Sequence, residues 1–277
     1  MDLDFVRDLV VEAGRGVLDV CEEALSAGKE ILSLLELASG RAHRIISRGL
    51  QSCCQDIPVI SKEDRDAARS PGVDLSRFWL VDPLDGAGEG MLDSGEFTVN
   101  IALVERDMPV WGVVYAPVRQ TLYLAAKGEG CWKLHDGKRE RLQVNVPAIG
   151  APTRVVVNRS RISPDTVLLI DFLPSSATVG RESALKFCSI AEGEADFYPQ
   201  LDATREWETA AGQLIVMEAG GVMTDLEGKP FTYNKAGLEN GPFLVAPSLG
   251  WLENMNLLNC RKRLAEWQLD YCAMSCR

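Results

Sequence analysis

Apolar residues recur every three to four positions through residues 3–36, and the same spacing continues through residues 38–52. This periodicity predicts amphipathic helices over the first fifth of the chain. A short apolar segment at 57–61 predicts a strand. The almost wholly apolar run FWLVDP at 78–83 predicts a buried strand that Pro83 ends.

Phe97, Val99, Ile101 and Leu103 alternate along FTVNIALVE at 97–105, and two further apolar segments follow, VWGVVYAP at 110–117 and TLYLAAK at 121–127. Strict alternation is typical of strands with one buried face, and the intervals between these segments are short. The pattern therefore predicts an antiparallel meander.

The pattern changes after residue 150. TRVVVN at 153–158 and VLLIDF at 167–172 predict short strands, whereas residues 183–193 and 207–220 have helical spacing. Further apolar runs, GVMTD and PFLVAP, predict strands, and a last helix is expected from Trp251, with Leu264 on its apolar side. This alternation predicts an α/β lobe. We therefore expect two domains, an N-terminal lobe over 1–150 with helices and an antiparallel sheet, and a C-terminal α/β lobe over 151–277.

The chain of 277 residues has a formal net charge of −11. This balance argues against binding to a nucleic-acid polymer, which requires a basic surface. The first residues lack the basic and apolar regions of a signal peptide, and no apolar run is long enough to cross a membrane. The eight cysteines form no metal-binding spacing. We expect a cytoplasmic protein with reduced thiols and no membrane partner.

The segment WLVDPLDG at 79–86 carries the strongest chemical signal. Its predicted strand delivers Asp82 and Asp85 into a turn rich in proline and glycine, with the Leu84 carbonyl between them. Oxygen ligands of this kind suit Mg²⁺, which also keeps water and substrate phosphate as ligands. The alternative is an acidic turn that caps the following helix.

Several motifs, in order, resemble the inositol monophosphatase superfamily, and most of all its branch of CysQ-type 3′(2′),5′-bisphosphate nucleotidases. They are WLVDPLDG, GEFTVNIALVE, GVVYAP, ALKFCSIAEGEADFYP and EWETAAGQLIVMEAGGVMTDLEGKPFTYNK. The resemblance implies a five-layered αβαβα sandwich of class α/β, with an α+β N-terminal lobe and an α/β C-terminal lobe. It also implies a Mg²⁺ site between the lobes and hydrolysis of phosphate monoesters.

The metal ligands that the resemblance implies are only partly present. Asp82, Asp85 and the Leu84 carbonyl match the family pattern. Lys62 stands where the family has a glutamate ligand, and Glu208 stands where the family has an aspartate. An ammonium near a divalent cation is repulsive, so these changes predict weak or absent Mg²⁺ binding.

The groups that orient the attacking water in the family are also changed. Ser39 replaces an aspartate, and Ala87 replaces a threonine. The segment 28–39 is too short for a mobile hairpin that relatives carry there. We therefore predict Lys62, Asp85 and Glu208 as the remaining catalytic candidates.

The resemblance further implies a substrate-binding set in the turn after Asp85 and in the second lobe. Its members in this chain are Gly86, Ala87, Arg159, Ser160, Ser183, Lys186 and Thr204. Arginine suits bidentate recognition of phosphate or sulfate. Glu182, which replaces a glycine of the family, would repel such a group. Without the resemblance, Arg159 and Lys186 are equally consistent with solvated surface charges.

Three functions remain open from the sequence. The main hypothesis is a repurposed family member that binds a small phosphate or sulfate ester through Lys62, Arg159 and Lys186, with hydrolysis weak or lost. The alternative is an active Mg²⁺-dependent 3′(2′),5′-bisphosphate nucleotidase or related phosphomonoesterase. The second alternative is a non-catalytic subunit of a heteromeric complex, in which loss of the hairpin exposes a surface for a partner chain or for a second copy.

Overall fold

The computed structural model describes residues 3–26, 31–64, 75–88, 91–148 and 150–260. Two long helices, α1 (Leu3–Ser26) and α2 (Ile31–Cys53), open the chain, as predicted. They share a core in which buried residues recur every three or four positions. The residues of this core are Val6, Val10, Ala13 and Val17 from α1 and Ala38, Ala42, Ile46 and Leu50 from α2.

Seven strands form one sheet in their order along the chain. They are β1 (Val59–Ser61), β2 (Arg77–Asp85), β3 (Thr98–Glu105), β4 (Met108–Ala116), β5 (Thr121–Ala126), β6 (Gly130–His135) and β7 (Lys138–Leu142). The first pair is parallel and every later pair is antiparallel. The predicted meander is confirmed and extends through β7. A one-turn helix, α3 (Met91–Ser94), connects β2 to β3.

The prediction that Pro83 ends the second strand is wrong. Strand β2 continues to Asp85, with a shift in its register against β3 between Asp82 and Asp85. Proline has no backbone N–H to donate to the ladder, so it produces an irregularity in the pairing without ending the strand. This irregularity lies directly at the two aspartates.

Helices cover both faces of this sheet. Alternate residues of β2 pack into different cores. Trp79 packs towards α1 and α2. Leu80 packs on the other face, towards α5 (Leu185–Ala191) and α6 (Glu206–Glu218). At Gly112 of β4 an added Cβ would lie 3.1 Å from Ala211 Cα, so the glycine allows α6 to approach the sheet closely.

The second half of the chain forms smaller sheets. Strand β8 (Thr153–Asn158) is parallel to β9 (Ser176–Arg181), and β10 (Tyr198–Gln200), β14 (Phe243–Ala246) and β12 (Val222–Thr224) form an antiparallel set. The last pair is β11 (Thr204–Arg205) with β13 (Glu239–Asn240).

These smaller sheets separate α5 and α6 from two further helices, α4 (Pro164–Asp171) and α7 (Leu249–Asn254). Leu169 and Leu252 of those helices share a core with Val155 and Leu244 on the far face of the smaller sheets. The layer order is therefore helix, sheet, helix, sheet, helix, and the predicted five-layered sandwich is confirmed. The predicted domain boundary near residue 150 stays a prediction, and α6 packs directly on the first sheet.

The prediction of a strand over 167–172 is wrong, because this segment lies in α4. Ser163 is the N-cap, with its Oγ accepting a hydrogen bond from Thr166 N, and Pro164 follows it in the first helical turn. Both features favour a helix start. The helix predicted from Trp251, with Leu252, Met255 and Leu258 on its apolar side, is shorter than expected, because α7 begins at Leu249 and ends at Asn254, and Leu264 lies outside the described residues.

No helix in the described part of the chain is both long and apolar enough to cross a bilayer. Each of the six cysteines within the described ranges is a free thiol.

Candidate active site

A cavity of about 320 Å³ lies where the end of β2 meets the first turns of α5 and α6. Its walls carry half of the predicted site residues together with further polar side chains of the second half. Among the lining residues are Asp85, Gly86, Asn158, Glu182, Ser183, Lys186, Tyr198, Thr204 and Glu208.

The turn at the end of β2 presents the two predicted aspartates. Asp82 is fully buried, and its Oδ1 accepts hydrogen bonds from Leu84 N and Lys62 Nζ, each at 3.3 Å. Its Oδ2 is buried without a hydrogen-bond partner. Asp85 Oδ2 accepts a hydrogen bond from Asn100 Nδ2 at 3.2 Å. An unpartnered buried carboxylate oxygen is costly, so Oδ2 of Asp82 is an open ligand position.

Lys62 lies against the same turn, as predicted. The parallel register places Ser61 opposite Val81, so the next residue reaches Asp82 and Leu84. Lys62 Nζ donates to the Leu84 carbonyl oxygen at 2.6 Å as well as to Asp82. Burial alone would lower the pKa of Lys62, but attraction to Asp82 and Asp85 outweighs it and raises that pKa. The ammonium is therefore charged.

Glu208, in the first turn of α6, brings a third carboxylate to the site. Burial and the negative charges of Asp85 and Asp82 raise the pKa of Glu208 to about 7. Burial also raises the pKa of Asp82 to about 7, although Lys62 opposes this shift. The raised pKa values indicate that these carboxylates have too little positive charge around them.

The donors present fit a divalent cation held by few protein ligands. Within the described ranges, no three Asp, Glu, His or Cys side chains are close enough together to form a complete metal cage. Mg²⁺, however, is usually held by one or two carboxylates, with water and substrate phosphate completing its coordination. The open Oδ2 of Asp82 and the carboxylate of Asp85 supply this set. Of the predicted ligands, the Leu84 carbonyl is already bound by Lys62.

Within the described part of the chain, the two positions at which water-orienting groups were predicted to be lost, Ser39 and Ala87, have no contact with each other that could replace those groups. Ser39 Oγ donates a hydrogen bond to Glu63 Oε1 at 2.6 Å, so Glu63 points towards α2 while Lys62 points into the site. His43 Nδ1 is 2.9 Å from Ser61 Oγ. Ala87 is exposed, and its methyl group supplies no hydroxyl.

Two of the predicted anion-binding groups of the second half are bound to carboxylates. Arg159 donates to Glu96 at 2.9 and 3.2 Å. Ser160 N donates to Glu182 Oε1 at 2.6 Å, in the manner in which a backbone amide binds an anion.

The other predicted substrate-binding groups line the cavity or its edge. Burial lowers the pKa of Lys186, although Asp85 and Glu182 oppose this shift. Thr204 Oγ1 accepts a hydrogen bond from Asn240 Nδ2 at 3.2 Å.

Glu96 is the site residue that the sequence reasoning missed. It is almost fully buried, and its carboxylate accepts hydrogen bonds from Arg119, Arg159 and Glu182 N. The Arg159 and Arg119 guanidinium groups overcome the effect of burial and lower the pKa of Glu96. Ser183 Oγ also donates to the Glu96 backbone carbonyl at 2.8 Å. Glu96 thereby joins three segments around the cavity, but a single glutamate before a strand has no distinguishing spacing.

A five-layered αβαβα sandwich with a carboxylate-lined cavity at the end of a DPLDG strand defines a class of phosphatase folds. The model of the inositol monophosphatase family matches residues 3–259 of this chain. The chain therefore belongs to the inositol monophosphatase family.

Several relatives of this chain are 3′(2′),5′-bisphosphate nucleotidases of the CysQ type. The chain is 40% identical over 234 residues to the 3′(2′),5′-bisphosphate nucleotidase CysQ of Salmonella typhimurium, covering 83% of this chain and 93% of that protein. It is 34% identical to CysQ of Buchnera aphidicola, covering 82% of this chain and 91% of that protein. The crystal structure of CysQ from Bacteroides thetaiotaomicron has a TM-score of 0.76 and 34% identity, covering 88% of this chain and 96% of that one.

Proposed function

We propose that this protein is a Mg²⁺-dependent phosphomonoesterase that acts on 3′(2′),5′-bisphosphate nucleotides, the first alternative of the sequence analysis. The observation that supports this activity best is the unpartnered Oδ2 of buried Asp82, in the same strand end as Asp85, which lines a cavity together with Lys186 and Glu208. The CysQ relatives, at up to 40% identity, support the substrate class.

The residues of the chain take distinct roles in this proposal. Asp82 and Asp85, with Glu208 nearby, would hold Mg²⁺, which supplies charge neutralisation and activation of a water molecule when bound. Glu208 is the group that accepts the proton of the attacking water, because its carboxylate lines the same cavity as Asp85.

The remaining groups bind the substrate. Lys186 neutralises the phosphoryl oxygens across the cavity from Asp85, and Ser183 and Thr204 shape the wall on the same side. Gly86 has φ +80, so a side chain at this turn position would be strained as well as obstructive. An added Cβ at Gly86 would lie 2.9 Å from Ser183 Cβ.

The direct test measures phosphate release from adenosine 3′,5′-bisphosphate. With Mg²⁺ we expect a turnover number within the usual enzyme range of about 1–10³ s⁻¹, and chelation of the metal should abolish release. Absence of Mg²⁺-dependent release above the buffer rate would contradict the proposal.

A second candidate function is the repurposed member of the sequence analysis, which binds a phosphate or sulfate ester with little hydrolysis. The observation that favours it is the occupation of anion-binding and metal-binding groups by the chain itself, at Ser160 N and at the Leu84 carbonyl. Tight calorimetric binding of the nucleotide without phosphate release would establish it. The non-catalytic subunit and the oligomeric state stay predictions.

Replacement of Glu182 by glycine is expected to improve recognition of the second phosphate. The variant removes a negative charge from the cavity wall and frees Ser160 N, which Glu182 now occupies at 2.6 Å. At an effective dielectric constant near 20, loss of this repulsion should lower the KM for adenosine 3′,5′-bisphosphate by about tenfold. The KM for adenosine 3′-monophosphate, which keeps the scissile phosphate and lacks the second one, should change less. An unchanged ratio of the two KM values would show that Glu182 does not face the second phosphate.

A further inference from the structure

Lys62 has the surroundings of a bound cation rather than of a surface lysine. Its ammonium lies 2.6 Å from the Leu84 carbonyl oxygen and 3.3 Å from Asp82 Oδ1. The negative charges of Asp85 and Glu208 act on it as well. A carboxylate and a backbone carbonyl in direct contact, with two further carboxylates acting at longer range, are oxygen donors of the type that a hard metal ion takes.

The backbone fixes this arrangement. Strand β1 pairs with β2 in parallel, with Ile60 opposite Leu80 and Ser61 opposite Val81, and Lys62 N donates to Val81 O at 3.1 Å. The lysine therefore starts from a hydrogen-bonded position beside the DPLDG turn. Holding a long side chain in one conformation costs rotamer entropy, so the charged hydrogen bonds to the turn must offset that cost.

The charge around the turn is only partly balanced by this ammonium. Asp82, Asp85 and Glu208 act on Lys62 together, and the second oxygen of Asp82 has no hydrogen-bond partner. One cation position is thus filled by the chain and one carboxylate oxygen stays available.

We propose that Lys62 is a built-in cation that takes the place of one divalent ion, so that this site binds fewer divalent ions than the same site with an acidic residue at position 62. The ammonium holds the Leu84 carbonyl and Asp82 in the arrangement of a loaded site even without metal. This inference rests on the proposed function in taking this cavity as the divalent-cation site.

The test counts bound ions. Free Mn²⁺ is measured by electron paramagnetic resonance, and Mg²⁺ affinity by calorimetry, for the parent, Lys62→Glu and Lys62→Gln proteins. Replacing a positive by a negative charge beside Asp82 should add one bound Mn²⁺ per chain or tighten Mg²⁺ binding at least about tenfold, with Lys62→Gln intermediate. The matched control is Lys138→Glu, which makes the same charge change at an exposed position of β7 and should leave both values unchanged.

A second measurement covers the case in which Lys62→Glu does not fold. Without metal, Lys62→Gln should have a lower Tm than the parent, because Leu84 O and Asp82 lose their partner. Added Mg²⁺ should then raise the Tm of Lys62→Gln more than that of the parent, because a ligand that binds more tightly stabilises the folded state more.

Equal Mn²⁺ stoichiometry, Mg²⁺ affinity and Mg²⁺-induced Tm shift in parent and Lys62 variants would overturn the proposal. Those readouts do not depend on catalysis. If the parent fails to hydrolyse the bisphosphate while Lys62→Glu gains an ion, the proposed function is wrong. The proposal that Lys62 is a built-in cation is then still supported.

Discussion

Replacement of Asp82 by asparagine is expected to lower kcat/KM for phosphate release by about 10³-fold or more while leaving the protein folded. The variant removes the carboxylate whose open Oδ2 we assign to the metal, and loss of a metal-held charge in a water-poor site removes several kcal/mol of transition-state stabilisation. Asparagine has the same shape, and its Oδ1 can still accept from Leu84 N and Lys62 Nζ. Steady-state phosphate release and urea denaturation of the metal-free protein give the two readouts.

The free energy of unfolding distinguishes loss of a metal ligand from damage to the fold. Because burial raises the pKa of Asp82, removing its charge should leave the free energy of unfolding at pH 8 unchanged or higher. The matched control is Asp136→Asn, the same substitution at an exposed turn residue, which should keep the parent activity. If Asp82→Asn retains the activity of the parent, Asp82 is not a metal ligand in this site.

The sequence pattern was sufficient where one periodicity persisted over a long segment. The helical spacing of Val6, Val10, Ala13 and Val17 predicts a face that packs on α2, and these residues are indeed buried. The alternation in β3 likewise predicts a strand, but with one buried face, whereas both faces are buried and Leu103 and Val104 pack in the two cores on opposite sides of the sheet. In both cases, local propensity and tertiary packing favour the same element.

Short apolar runs were less informative. The run at 167–172 contains Val167, Leu168, Leu169 and Ile170, which suit either a strand or a buried helix. The helix forms because Ser163 caps it and because apolar partners cover it from β8 and β14. The cap was readable in the sequence, whereas the partners were not, since they lie far away along the chain.

The site likewise has one part that the sequence predicted and one part that it did not. The DPLDG segment and Lys62 were recognisable because both stand in motifs that resemble the family. The pairing of β1 with β2 brings them together in the structure. Glu96 and Glu182 were not assigned their contacts. Arg159 reaches Glu96 only after the second half folds onto the first, and Ser160 reaches Glu182 only when β8 pairs with β9. Contacts of this kind depend on the assembled layers and not on any local spacing.

Stability of the metal-free protein is expected to depend on pH through Glu208. Its pKa of about 7 in the folded state, against 4.5 as an ordinary value, means that folded Glu208 keeps a proton that the unfolded chain has lost between these pH values. The folded state then binds more protons, so stability falls as pH rises from about 4.5 to about 7.

Replacement of Glu208 by glutamine should therefore raise the free energy of unfolding of the metal-free protein by about 1–3 kcal/mol at pH 8. At pH 4 the parent carboxyl is already protonated in the folded state, so the two proteins should be equally stable there. Urea denaturation at both pH values with the metal chelated measures the difference, and Glu227→Gln, at an exposed turn residue, should match the parent throughout. The same Glu208→Gln protein should lose phosphate release, because glutamine cannot accept the proton of the attacking water. Equal stability of parent and Glu208→Gln at pH 8 would mean that the negative charges of Asp82 and Asp85 do not act on Glu208. The three carboxylates would then not form one site.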